Sequence, residues 1–129
     1  MTLNDMLRDV ATKQGSDLHL QAGSPATMRR DDGSLEALSQ EALSSETIEG
    51  LLREAVPAAE AEKVGARDYT TSWEVEGLGR VRASLYRQNR TVAAALRLVP
   101  SEVPDLDRIG APEGVRKLCE LRKGLVLVT

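Results

Sequence analysis

The stretch 79–100, Gly79-Arg80-Val81-Arg82-Ala83-Ser84-Leu85-Tyr86-Arg87-Gln88-Asn89-Arg90-Thr91-Val92-Ala93-Ala94-Ala95-Leu96-Arg97-Leu98-Val99-Pro100, decides the reading of the chain. It reads as two β-strands joined by a polar turn at Arg87-Gln88-Asn89-Arg90. In the first strand Val81, Ala83 and Leu85 alternate with Arg80, Arg82, Ser84 and Tyr86. In the second, Val92, Ala94, Leu96 and Leu98 alternate with Thr91, Ala93, Ala95, Arg97 and Val99. Side chains swap faces at each residue, so each strand has one apolar and one mixed face. Around that turn, an antiparallel pair with both apolar sets on one side puts Leu85 opposite Val92, Ala83 opposite Ala94 and Val81 opposite Leu96. A one-residue slip would turn a whole apolar set into water.

The same register sets Arg82 opposite Ala95 and Arg97 opposite Arg80. Arg82 and Arg97 are then expected as diagonal neighbours on the polar face. Two readings stand. The bland one is a solvated face, because exposed charges contribute little. The sharper one is a shared anion, because a guanidinium fork matches phosphate oxygens and keeps its charge.

Composition bounds the rest. With 129 residues, 41% apolar and 29% charged, the chain has the makings of one globular domain. Phe is absent and the aromatic side chains are Tyr69, Trp73 and Tyr86, so Leu, Val, Ala and Ile must build the core. No aromatic platform for stacking bases is visible. The net charge of −3 supplies no overall basic field and argues against a nucleic-acid partner. The lone Cys119 excludes an internal disulfide and suits a reducing compartment. No N-terminal apolar run has the length of a signal peptide or membrane span. The expected location is the cytoplasm.

Outward from the hairpin, Thr2 to Gln14 predicts an amphipathic helix with Leu3, Met6, Leu7 and Val10 on one face. Thr2 and Asp5 have capping-box spacing, and Gly15 is expected to stop the helix. Ser16 to Gln21 alternates as a strand, and Ala22-Gly23-Ser24-Pro25 is turn chemistry. Ala26 to Arg30 and Ser34 to Leu38 read as a hairpin around Asp32-Gly33. Ser44 or Ser45 caps a helix with Ile48, Leu51, Leu52 and Val56 on its buried stripe. Pro57 interrupts it, and a second piece runs to about Val64 before Gly65. Asp68 to Glu76 alternates as a strand, and Gly77-Leu78-Gly79 turns into the central hairpin. Beyond Val99 the two-proline stretch 100–105 reads as a semi-rigid linker. Pro112 opens a further helix, with Val115, Leu118 and Cys119 expected to face inward. Leu125-Val126-Leu127-Val128-Thr129 has the apolar continuity of a strand covered on both faces, without a sheet to join.

Signals for chemistry are few. His19 is the single histidine, and Asp17 shares its strand face, so an Asp–His hydrogen bond is conceivable. No nucleophile or clustered metal ligands accompany the pair, which favours a structural role. Cys119 reads as a small core residue. Glu36, Glu41, Glu46, Glu49 and Glu54 read as solvated surface charge. No Gly-x-x-x-x-Gly-Lys-Ser/Thr phosphate loop occurs. From residues alone this is an α/β domain with one arginine pair.

Several stretches then combine. Gln14-Gly15-Ser16-Asp17-Leu18-His19-Leu20, Arg30-Asp31-Asp32-Gly33, Arg82 through Arg97 and Arg122-Lys123-Gly124-Leu125-Val126-Leu127-Val128-Thr129 follow in order. Together they resemble the N-terminal part of the type II/type IV secretion ATPases, most closely the branch that retracts type IV pili. The resemblance implies a PAS-like domain over 1–99, mainly antiparallel sheet with flanking helices. A linker over 100–110 and the start of a RecA-like domain over 111–129, cut before its P-loop, would follow. It implies a homo-hexamer using ATP and Mg²⁺ and working on an inner-membrane platform protein, peripheral at the cytoplasmic face of that membrane. It implies that Arg82 and Arg97, fifteen residues apart, are arginine fingers that contact ATP phosphates. The metal ligands and P-loop lysine of the family would lie beyond Thr129, so this chain alone is expected to bind no nucleotide and to hydrolyse none. Thr91 stands where the family commonly has Gly after its Gln-Asn-Arg turn. Alternatives are a pilus extension or type II secretion ATPase of the same family, or a stand-alone PAS-like binding module without catalysis.

Overall fold

A computed structural model describes residues 1–99 and 103–129. Helix α1 (Leu3–Thr12) begins on the expected capping box. The Asp5 backbone N–H donates to Thr2 Oγ1 at 3.2 Å and the Thr2 N–H to Asp5 Oδ2 at 2.9 Å. Leu3, Met6, Leu7 and Val10 are its buried face. The helix ends differently from expectation. Gln14, not Gly15, takes the left-handed conformation (φ 57°). Gly15 is needed for packing instead: a Cβ there would lie 2.9 Å from Val10 Cγ1 and 3.1 Å from the Arg29 carbonyl oxygen.

Strand β1 (Gly15–Leu20) is followed by the hairpin β2 (Thr27–Arg30) and β3 (Leu35–Ala37). Gly33 supplies the positive φ (83°) of the Asp32-Gly33 turn, and Asp32 Oδ1 accepts from the Ser34 backbone N–H at 2.8 Å. Ser44 caps α2 (Ser45–Ala55), its Oγ accepting from the Thr47 N–H. Ile48, Leu51 and Leu52 are buried. A 3₁₀ turn over Ala58–Lys63 leads to β4 (Tyr69–Val75), β5 (Gly79–Gln88) and β6 (Thr91–Val99). The six strands form one antiparallel sheet in the order β3-β2-β1-β6-β5-β4. Leu18, Leu20, Met28, Val81, Ala83, Leu85, Val92, Ala94 and Leu96 share one core with the α1 and α2 stripes. The opposite face carries Asp17, His19, Arg29, Arg82, Ser84, Tyr86 and Arg97. The expected mainly antiparallel sheet with flanking helices is therefore present.

The hairpin register differs from the expected one by two residues. Ala83 lies opposite Leu96, Leu85 opposite Ala94 and Val81 opposite Leu98. A slip of two keeps every side chain on its own face, so the apolar alternation is satisfied equally by both registers. Loop length decides between them. Gln88 pairs with Thr91, leaving a two-residue turn at Asn89 (φ 51°) and Arg90 (φ 67°). Such a turn with both φ positive matches the twist of the strands it joins, and Asn suits its first position. Thr91 lies outside the turn, as the first residue of β6, and its Oγ1 donates to the Gln88 carbonyl at 2.7 Å. The tight turn brings Arg82 directly opposite Arg97 rather than diagonal to it.

Positions 100–102 of the expected linker lie outside the described residues. Residues 106–110 form a hydrogen-bonded turn in which the Ala111 N–H donates to the Leu106 carbonyl at 2.9 Å. Helix α3 (Glu113–Cys119) follows Pro112. Its expected inward face is not buried, since Leu118 and Cys119 are exposed. Residues 125–129 form no strand, and Leu125 and Val128 are 84% and 95% exposed. A strand is stabilised by pairing with a neighbour and by cover on its faces, and no described strand lies against this segment. The expected first strand of a second domain is thus absent among the described residues.

Candidate functional site

One rung crosses the whole sheet on its open face. Register pairs Leu35 with Arg29, Arg29 with Asp17, Asp17 with Arg97, Arg97 with Arg82, and Arg82 with Ser72. Three of these six positions are arginine. The neighbouring Arg80 is tied to Glu74, with Nε donating to Oε1 at 3.0 Å. Like charges directly opposite one another disfavour a strand pair by a few tenths of a kcal/mol up to about 1 kcal/mol. Something must offset that here.

Asp17 offsets part of it. Arg97 Nε donates to Asp17 Oδ1 at 2.8 Å, and Ser16 Oγ donates to Asp17 Oδ2 at 2.7 Å. The two ends of the ion pair differ, the Asp17 side chain being 10% exposed and that of Arg97 67%. The carboxylate is the anchored end and the guanidinium the presented one. Burial works to raise the Asp17 pKa, but the hydrogen bonds from Ser16 and Arg97 and the Arg97 charge outweigh it and hold it below the usual carboxylate range. Asp17 is therefore ionised at neutral pH.

Arg82 has no such partner. Among the described residues it makes no hydrogen bond and no salt bridge, and it is exposed. It lines an open concavity of about 330 Å³ with Thr70, Ser72, Arg80 and Val99. Among the described residues Arg97 commits only Nε, so both its terminal nitrogens remain available, and its backbone position is directly opposite that of Arg82. Two arginines at opposed positions on one sheet face, one anchored and one unpaired among the described residues, suit a multiply charged oxyanion such as a polyphosphate. No cluster of three or more His, Cys, Asp or Glu side chains able to hold a metal occurs among the described residues.

The other candidates separate from this site. His19 shares the face of Asp17 but forms no hydrogen bond with it, and its Nε2 is buried without a partner. Burial, assisted by the nearby Arg29 charge, lowers the His19 pKa against the opposing pull of Asp17. His19 stays neutral at pH 7. Cys119 is exposed on α3, not part of a core. Glu36, expected to be solvated, is paired with Arg30, whose Nε donates to Oε2 at 2.8 Å, and with Lys13 at 3.4 Å. Sequence reasoning missed Arg29 and the choice of Arg97 as the partner of Asp17. Asp17 and Arg97 are 80 residues apart, and no local pattern announces that β1 sits beside β6.

No protein-family model matches the chain. Relatives are found by direct sequence comparison. The type IV pilus retractation ATPase PilT of Pseudomonas aeruginosa is 31% identical over 132 residues, covering 100% of this chain and 38% of that protein. The type IV pilus ATPase PilU of the same organism is 30% identical over 131 residues, covering 98% of this chain and 33% of its own length. Among solved structures, the pilus retraction motor PilT with bound ADP superposes with a TM-score of 0.76 at 29% identity, over 94% of this chain and 36% of that one. The chain thus spans about a third of the length of the relatives it matches. Along its whole length and in its fold, it belongs to the PilT-type secretion ATPases, as their N-terminal part.

Proposed function

We propose that this chain is the N-terminal domain of a hexameric motor ATPase that powers type IV pilus retraction. In this reading its open sheet face supplies Arg82 and Arg97 to the phosphates of ATP held by the nucleotide-binding domain of the full-length protein. The observation that carries it is the pairing of Arg82, unpartnered among the described residues, with an anchored Arg97 directly across the β5–β6 ladder. ATP with Mg²⁺ would supply the phosphoryl group and its counter-charge. The two arginines would neutralise negative charge on the phosphoryl oxygens and exclude water from them. Retraction is favoured over extension or secretion by the likeness to the retractation ATPase PilT, and the partner such a motor needs is an inner-membrane platform protein. Its place of work is then the cytoplasmic face of that membrane.

The test is steady-state ATP hydrolysis by the full-length protein carrying Arg82→Ala or Arg97→Ala. An arginine finger predicts a fall in kcat on the order of a thousandfold, with ADP affinity nearly unchanged. Wild-type turnover in both variants would sink the assignment.

A second reading, a PAS-like binding module without catalysis, draws on a different feature. A cavity of about 270 Å³ on the open face is lined by His19, Gln21, Thr27, Arg29 and Tyr86 among others. This reading expects a small ligand to be held by residues 1–129 alone, whereas the motor reading expects these residues to have negligible affinity for ATP. Calorimetric titration of the chain with ATP and with a small-ligand panel separates the two.

A further inference from the structure

The Asp17–Arg97 pair has a geometry that an ordinary surface ion pair lacks. Strand β1 carries an irregularity between Gly15 and Asp17: Gly15 pairs with Arg30, yet Asp17 pairs with Arg29, so Ser16 is an extra residue. Bulges of this kind re-aim a side chain and recur beside functional sites. Here the bulge puts Asp17 on the open face in the same rung as Arg97 and turns the Ser16 hydroxyl back onto its carboxylate. Asp17 is flanked by two arginines, Arg29 on β2 and Arg97 on β6. Of these two arginines it bonds only Arg97, while Arg29 Nη1 donates to the Gly33 carbonyl at 3.3 Å. The bond to Arg97 uses Nε, the nitrogen nearest the backbone. Held there, the guanidinium has neither terminal nitrogen bonded among the described residues, and the side chain is 67% exposed.

We infer that Asp17, fixed by the Ser16 bulge, is a positioning residue that holds the Arg97 guanidinium side-on so that its terminal nitrogens bind a phosphate oxygen together with Arg82. This rests on the arginine-finger reading above and adds to it the device that aims one finger. A lysine at 97 would have a single ammonium, and Asp17 would capture it. Arg82 needs no equivalent anchor, being kept from Asp17 by the intervening strand β6.

The experiment is a double-mutant cycle in the full-length ATPase, with kcat, KM for ATP and Tm measured for Asp17→Asn, Arg97→Ala, Arg82→Ala and their pairs. Asn is nearly isosteric and still offers Ser16 a hydrogen bond, and Tm reports whether the fold is kept. The expected result is a loss of kcat of roughly ten- to a hundredfold in Asp17→Asn, the scale of a misplaced catalytic group, with KM little changed. That loss should vanish in the Arg97→Ala background and persist in the Arg82→Ala background. Arg97→Lys should be as slow as Arg97→Ala, and Ser16→Ala should show a smaller loss of the same kind. If both arginine variants slow turnover but Asp17→Asn does not, or if its loss is equal in the Arg97→Ala background, the positioning role is overturned while the fingers stand. Full activity in both arginine variants overturns the finger reading itself.

Discussion

The two ends of this chain use similar side chains to opposite effect. Every buried hydrophobic residue among those described lies between Leu3 and Leu96, where α1 and α2 cover one face of the sheet. From Val103 onward no described residue is buried, although Leu118, Leu121, Leu125, Val126, Leu127 and Val128 form as apolar a set as any in the sheet. Apolar pattern alone does not make a core. It does so only where other elements present complementary faces at close range, because the driving force scales with area removed from water.

The contrast breaks most visibly by truncating equivalent leucines. Leu52 is fully buried at the centre of the α2 stripe. Leu52→Ala should lower the unfolding free energy by about 2–5 kcal/mol, from lost transfer energy plus the cavity left behind. Urea unfolding followed by circular dichroism reads this directly. A change below about 1 kcal/mol would mean that the sheet unit does not pack as described.

Gly15 sharpens the picture of tight packing where α1 meets β1. Gly15→Ala places a methyl group 2.9 Å from Val10 Cγ1, 3.1 Å from the Arg29 carbonyl and 3.2 Å from Met28 Sδ. Two of these atoms belong to buried side chains and the third to backbone, so relief requires the helix or β2 to shift. Overpacking of this kind typically costs about 1–3 kcal/mol. The expected result is a lower urea midpoint with an unchanged slope. A neutral substitution would show that the α1–β1 junction yields easily.

How far all this could be read from residues alone follows from the range of each signal. The capping box at Thr2, the Asp32-Gly33 turn and the α2 stripe are local, and each forms as expected. Face assignment was legible because alternation carries it. Register was not, because a two-residue slip leaves alternation untouched and the loop alone distinguishes a four-residue from a two-residue turn. The arginine pair was legible as a spacing, and direct opposition makes it tighter than the pattern implied. The anchor was illegible: it depends on a bulge at Ser16 and on β1 docking beside β6, both consequences of tertiary structure. Gly15 misled for a related reason, since helix-stop and close-approach glycines look the same in a sequence.

The open face offers a subtler comparison with the core, through pH. The folded pKa of Asp17 is depressed because the Ser16 and Arg97 hydrogen bonds outweigh burial. A group of that sign contributes stability that is fully present above its unfolded value, about 3.9, and is lost as pH falls through the lower folded value. The stability advantage of the wild type over Asp17→Asn should therefore be constant near neutrality and shrink once pH drops below about 4. Thermal melts of both proteins at stepped pH check this. An advantage that grew in acid would reverse the assigned sign. The effect is smaller than that of Leu52 because it is the difference between opposing contributions, and the exposed Arg97 end is screened by water.

The smallest effect is expected at the other end of the molecule. Leu127 is 77% exposed and Val128 95%, so Leu127→Ser removes little contact and leaves no cavity in the sheet unit. Substitutions at such sites usually change stability by less than about 0.5 kcal/mol. Measured on this chain in urea, the midpoint of Leu127→Ser should match the wild type. The same change in the full-length protein should cost considerably more if a nucleotide-binding domain covers the apolar run 125–128. A loss above about 1 kcal/mol in the chain alone, on the scale of a core side chain, would mean that the segment shares the core of the sheet unit. The difference drawn between the two ends would then collapse.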